Sequence, residues 1–194
     1  MKFNKNIQYI IIVFMLVSVN SALAENNRKS NLRSFGDYMQ VINPVIAGSM
    51  ASQEKGFGHF GLVYGQTFFI MHGTKLIGKS SKSNFSKRPF INGKKDRYEG
   101  MPSGHTASAW AAASYVRTYS DYKYASIPLY IIATITGYSR IKAKEHTTAQ
   151  VIAGAALAEI VTYVNNKLNW SNDYRSTDFY FGGNEASASF KFKF

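Results

Sequence analysis

Apolar residues fall along the chain in blocks of two kinds. The first is a near-continuous run, Ile7–Val19, with Lys2 and Lys5 ahead of it and Ala22-Leu23-Ala24 behind it, before Glu25. A basic start, an apolar core short of the ~20 residues of a membrane span, and an A-x-A site describe a signal peptide cleaved after Ala24. The other blocks are amphipathic or small-residue patterns at helical spacing. Residues 25–34 are polar and read as a mobile lead-in, and residues 35–52 form a helix interrupted by Pro44. Residues 56–74 carry no Lys, Arg, Asp or Glu; glycines, His59, His72 and Gln66 dilute them, so the pattern predicts a buried helix, with a membrane-embedded one as the alternative.

From Lys75 to Glu99 the chain turns basic and Ser-rich, the pattern of a loop. Three further helices follow, over residues 105–119, 124–141 (entered through Pro128) and 146–168. At the end, Phe alternates with polar residues around Gly182-Gly183, a hairpin signal for residues 173–194. The expectation is a leader (1–24), an all-α helical domain (25–172) and a short C-terminal β-hairpin packed at its edge.

Charge narrows the partners. The formal net charge is +12 and no cysteine is present. Such a balance favours phosphates or an acidic membrane surface, and export makes nucleic acid an unsuitable partner. Without cysteine, disulfides and thiol catalysis are excluded, so packing alone stabilises the fold. The leader points to the periplasm, with peripheral membrane association compatible with the basic surface.

Three short pieces carry candidate chemistry. Arg88 stands before Pro89, which pushes it to an extended backbone and projects a guanidinium suited to phosphate oxygens. In "PSGH" (Pro102 to His105), Ser103 and Gly104 open a helix, where backbone N–H groups lack acceptors and the dipole favours an anion. Ser103 is suited to cap the helix or bind an oxygen, and Gly104 lets an oxyanion approach closely. In "SRIKAKEHTTAQ", Arg140 precedes His146 by six positions, and Gln150 lies one turn beyond the histidine, on the same helical face.

The order of these pieces resembles the three-part signature of the type-2 phosphatidic acid phosphatase (PAP2) superfamily. That superfamily also contains vanadium haloperoxidases and soluble acid phosphatases, and "GYSRIKAKEHTTAQVIAGAALA" is similar to its exported bacterial branch. The resemblance implies a PAP2-like helical bundle and a phosphatase that uses no metal or other cofactor. It implies His146 as nucleophile and His105 as general acid, with Arg140, Arg88, Ser103 and Gly104 around the phosphoryl oxygens. His59 and His72 are left as packing or surface residues.

Two positions depart from the family pattern. Where its first motif has a lysine seven before the Arg of Arg-Pro, this chain has Ser81. Lys79, in phase with the end of the preceding helix, is the expected phosphate ligand, and Lys82 is the alternative. Where the family has Asp four residues after the nucleophile, this chain has Gln150, whose amide oxygen can accept the ring N–H but supplies no charge. On that reading Gln150→Asp preserves or raises activity. The expected substrates are phosphate monoesters or pyrophosphates of envelope lipids. A soluble broad-specificity acid phosphatase is the runner-up, followed by a weakly catalytic headgroup-binding protein and a haloperoxidase.

Overall fold

A computed structural model describes residues 28–53, 55–90, 95–168, 174–182 and 185–192. The leader expected over residues 1–24 lies outside them. Five long helices make the body: α1 (Arg28–Gln53), α2 (Phe57–Ser81), α3 (Gly104–Tyr119), α4 (Ser126–Lys142) and α5 (Thr148–Leu168). The architecture is all-α. Among the described residues no helix is long and apolar enough to cross a membrane.

α3 is the central helix, and its composition explains why. Ala107, Ala109, Ala111, Ala112 and Ala113 are all buried, and side chains this small let α1, α2, α4 and α5 all pack against it. Larger residues from the surrounding helices fill the remaining space: Phe60 and Val63 from α2, Leu129 from α4, with Tyr115 and Val116 of α3 itself. Burying side chains of this size stabilises the bundle by about 1.5–3 kcal/mol each. A polar tie runs across the opposite side. Glu159 of α5 accepts hydrogen bonds from Trp110 Nε1, Ser114 Oγ and Arg117 Nη2 of α3 and from Tyr130 Oη of α4, at 2.9, 3.1, 2.6 and 2.5 Å.

Two helices run further than the sequence pattern suggests. α1 begins at Arg28, so residues 28–34 of the stretch expected as a lead-in are helical, and Arg33 and Asp37 stand on a packed element. α2 continues through Lys75 to Ser81 and ends at Lys82, whose φ of 49° is left-handed. Nor is α2 buried all round. His59, Phe60, Val63, Thr67 and Met71 face inward, while Phe69, Leu76 and Ile77 are exposed. The absence of charge along residues 56–74 marks an apolar outer face as well as an inner one.

Pro44 sits within α1. Having no N–H, it leaves the carbonyl of Gln40, four residues back, without its helical donor. Ser108 Oγ of α3 donates to that carbonyl at 2.6 Å and, its one proton so used, accepts from Tyr64 Oη of α2, also at 2.6 Å. The interruption in α1 thereby becomes a three-helix polar contact beside the cleft.

Beyond α5 the backbone of β1 (Tyr174–Gly182) pairs antiparallel with that of β2 (Glu185–Phe192). The side chains of this segment, and hence the expected packing of a hairpin on the helical body, fall outside the described residues.

Candidate active site

The cleft opens among α1, α2, the start of α3, the loop after α2 and the α4–α5 turn, with a volume of about 520 Å³. Each element delivers its side chain for a local reason.

The α4–α5 turn supplies the nucleophile candidate. α4 ends at Lys142, Lys144 takes a left-handed φ of 56°, and the N–H groups of Glu145 and His146 both return to the Arg140 carbonyl. α5 then starts with a reciprocal cap. Thr147 Oγ1 accepts the Gln150 N–H at 3.3 Å, and Gln150 Oε1 accepts the Thr147 N–H at 3.2 Å. This T-x-x-Q capping box was legible in the sequence. The same Oε1 lies 3.2 Å from His146 Nδ1, so Gln150 fixes the ring and leaves Nε2 for the cleft.

Gln150 also does something an aspartate has no donor for. Its Nε2 donates to the carbonyls of Phe85 and Lys87, at 3.2 and 2.8 Å, in the loop that carries Arg88. All four hydrogen bonds are made by a side chain of a residue only 1% exposed.

That loop folds back on itself: the Arg88 N–H bonds to the Arg97 carbonyl and the Gly100 N–H to the Ser86 carbonyl. Arg88 is held between two carboxylates, with Nε 3.1 Å from Glu99 Oε1 and Nη1 3.1 Å from Glu145 Oε2. Glu145 gathers Arg33 and Arg97 as well. Glu145 directly precedes His146 in the chain. In the turn they occupy, their side chains diverge, and Glu145 becomes the anchor of an arginine cluster.

Arg140 is 2% exposed, and its guanidinium donates to Ser139 Oγ, to the Arg33 carbonyl and to Asp37 Oδ1. Gly36 makes room for it, since a Cβ there would lie 2.5 Å from Arg140 Nη2. Asp37 Oδ1 also lies 2.9 Å from His105 Nε2. Asp37 has no sequence signal beyond being a lone acid in an apolar helix.

The structure places both candidate first-motif lysines away from the cleft. Lys79 and Lys82 are exposed and do not line the cleft. Lys75 does, donating to the Glu99 carbonyl at 2.8 Å. The reason is helix phase. Tyr64, Phe68, Met71 and Lys75 form one stripe of α2 along the cleft wall, level with Gly104, where a Cβ would meet Met71 Sδ at 3.0 Å and Lys75 Cε at 3.8 Å. Lys79 lies one turn past that level.

Ser103 lies outside the cleft lining as well. It stands at the N-cap position of α3 but is fully buried, makes no side-chain cap, and its Oγ accepts from Thr106 Oγ1 at 3.0 Å. Its N–H goes to the Gln150 carbonyl at 2.9 Å. Gly104 and His105 face the cleft, and their first-turn N–H groups have no acceptor within the helix. His72 also lines the cleft, against Phe68, whereas His59 is buried and pairs with Tyr115 Oη at 2.8 Å.

Burial and cations set the protonation states. Burial, then Arg88 and Lys75, push His146 down to about 3, against the opposing bonds to Gln150 and the Gly100 backbone. Its ring is therefore neutral, the form with a free lone pair. Burial and Arg140 lower His105, with Lys75 adding to them and Asp37 opposing. Burial and Arg88 bring Lys75 down to about 8. Burial and Lys55 hold His59 at about 4.

Stability should follow these shifts. Below pH 6.5 the unfolded chain takes up protons on His146 and His59, while the folded chain does not until about 3 and 4. Acid thus favours the unfolded state, by several kcal/mol at most across this window. In chemical denaturation the midpoint should fall steadily from pH 6.5 to 4. A midpoint constant over that range would contradict the buried neutral assignment of both rings.

The PAP2 superfamily model matches residues 60–173. The chain belongs to the PAP2 superfamily. The lipid A 4′-phosphatase of Helicobacter pylori (strain J99) is 30% identical over 135 residues, 66% of this chain and 65% of that protein, so the chain spans about two thirds of its relative's length. Among solved structures, the transmembrane PAP2 type phosphatidylglycerolphosphate phosphatase from Bacillus subtilis has a TM-score of 0.47 at 16% identity, covering 84% of this chain and 96% of that one. The PAP2 match contains Lys75, Arg88, His105, Arg140 and His146, and it starts after α1 has ended.

Proposed function

We propose that this PAP2 protein is a metal-independent phosphatase, acting on phosphate esters or pyrophosphates of envelope lipids through a phosphohistidine. One observation carries the reading. A neutral, buried His146, with Nδ1 held by Gln150, shares a cleft with Lys75, Arg88, Arg140 and, as a proton donor, His105.

The chemistry follows from that arrangement. Lys75, Arg88, Arg140 and the N–H groups of Gly104 and His105 surround the phosphoryl oxygens and stabilise the charge spread over them. The Nε2 lone pair of His146 forms the N–P bond as the P–O bond to the leaving group breaks, and His105 gives that oxygen its proton. Water then attacks phosphorus, its proton goes to His105, the N–P bond breaks, and phosphate leaves. Cationic side chains do the work that a metal does elsewhere, so the mechanism calls for none.

A lipid substrate is supported by the cleft wall and by the kinship with a lipid A 4′-phosphatase. Val41 and Phe68 line the opening with much of their surface exposed, and Phe69 stands beside them on α2. Acyl chains at that rim would place the phosphate inside and the chains outside, as at a membrane surface. The basic, apolar-started sequence suits export and peripheral attachment on the periplasmic side.

The deciding assay compares diphosphorylated lipid A and phosphatidate in mixed micelles with p-nitrophenyl phosphate, all in EDTA. Activity should survive the chelator, fall with vanadate, and give a higher kcat/KM for a lipid than for the aryl phosphate. No turnover of any of the three would remove the phosphatase reading, and loss of turnover in EDTA would remove the metal-independent mechanism.

A further inference from the structure

One wall of the cleft comes from α1, which the PAP2 match does not reach. From it Asp37 directs a single oxygen, Oδ1, at two groups: His105 Nε2 at 2.9 Å and Arg140 Nη1 at 2.6 Å. Its side chain is 46% exposed, whereas Arg140 is buried, so the carboxylate reaches inward from the cleft's edge.

We propose that Asp37 is a positioning residue for the general acid, fixing which ring nitrogen of His105 faces the substrate and favouring the form of that ring that can give a proton. The proposal rests on the phosphatase reading and deepens it. A carboxylate on one imidazole nitrogen selects the tautomer and orientation of the ring and favours its charged form. The charged and titratable groups lining the cleft with His105 are Asp37 and Arg33 from α1, Lys75 and His72 from α2, Arg88 and Glu99 from the loop after it, Arg140 from α4, and Glu145 and His146 from the α4–α5 turn. Arg140 and Lys75 press the ring towards neutrality, and Asp37 is the carboxylate in direct contact that opposes them. A neutral His105 has no spare proton for the leaving oxygen. With Nε2 held by Asp37, the other ring nitrogen delivers the proton as the P–O bond breaks and recovers one from the attacking water, while Asp37 stays ionised throughout.

Arg140 does not depend on this contact alone, because Ser139 Oγ and the Arg33 carbonyl also hold it. Removal of the carboxylate should therefore impair proton delivery more than phosphate binding. Leaving groups separate the two effects. A p-nitrophenolate departs with little protonation, and an alkoxide does not.

The test is Asp37→Asn in the full chain, assayed on p-nitrophenyl phosphate and on phosphatidate. The kcat for phosphatidate should fall on the order of 100-fold and that for the aryl phosphate by less than about tenfold, with both KM values within about threefold of the parent. The high-pH decline of kcat for phosphatidate should move to lower pH, because the ring loses the group that opposes its deprotonation. Asp37→Glu, which keeps the charge, should recover most of the phosphatidate rate. Equal losses on both substrates, or none on either, would overturn the positioning role. An inactive parent protein would instead count against the phosphatase reading itself. Should Asp37→Asn fail to fold, Asp37→Glu decides: an aryl rate reduced as much as the phosphatidate rate would overturn the proposal.

Discussion

His146→Ala should abolish hydrolysis of every phosphate ester the protein accepts, with a loss of about 10⁵-fold or more in kcat, the scale seen when a covalent nucleophile is removed from an acyl-transfer site. Binding of inorganic phosphate should persist, because Lys75, Arg88 and Arg140 remain. The fold should persist as well. Gln150 Oε1 keeps the Thr147 N–H, and its Nε2 keeps both loop carbonyls. Protein quenched in alkaline denaturant should carry a base-stable, acid-labile phosphoryl group before the substitution and none after it. Full activity in His146→Ala would remove this residue as nucleophile and with it the phosphohistidine.

The second large effect reverses an expectation drawn from the sequence. Compared with the family pattern, Gln150→Asp looks like a restoration, returning a carboxylate to the nucleophile. The structure gives the opposite sign. An aspartate is one methylene shorter and has no donors, so the Phe85 and Lys87 carbonyls would lose their partners and face a negative charge. Each orphaned buried carbonyl costs about 1–3 kcal/mol. The loop they belong to positions Arg88, and displacement of such a group by about 1 Å can cost 100-fold in rate. Gln150→Asp should therefore lower both the melting temperature and kcat/KM, the latter by about 100-fold. Gln150→Glu keeps the length and should lose less stability than Gln150→Asp. Calorimetry with steady-state kinetics checks both, and a Gln150→Asp protein as stable and active as the parent would show that the loop does not depend on this amide.

These two residues show how differently the parts of the site were written into the chain. Arg-Pro, Pro-Ser-Gly-His and Ser-Arg with His146 six residues beyond the arginine are legible because their chemistry depends on local geometry. A residue before proline, the first turn of a helix and the turn between two helices each have a short-range signature. The same holds for the helical body, since apolar periodicity and alanine runs are properties of neighbouring residues. The T-x-x-Q cap belongs to this class too, and its partner Thr147 was there to be read.

Lys75, Asp37, Glu145 and the inward burial of Ser103 were not legible in that way. Lys79 looked right by its phase at the end of the helix that precedes Arg88. Lys75 lines the cleft because α2 runs on past it, so that its stripe Tyr64–Phe68–Met71–Lys75 meets Gly104 of another helix. Asp37 reaches His105 across 68 positions and Arg140 across 103. The sequence by itself determined the helical class, the PAP2 signature and the order of the reacting groups, all of which depend on rules a few residues long. The tertiary structure decided which lysine lines the cleft, which acid contacts His105, and what the amide at position 150 bonds to. Those depend on how far helices extend and which faces meet, and only the packed bundle settles that.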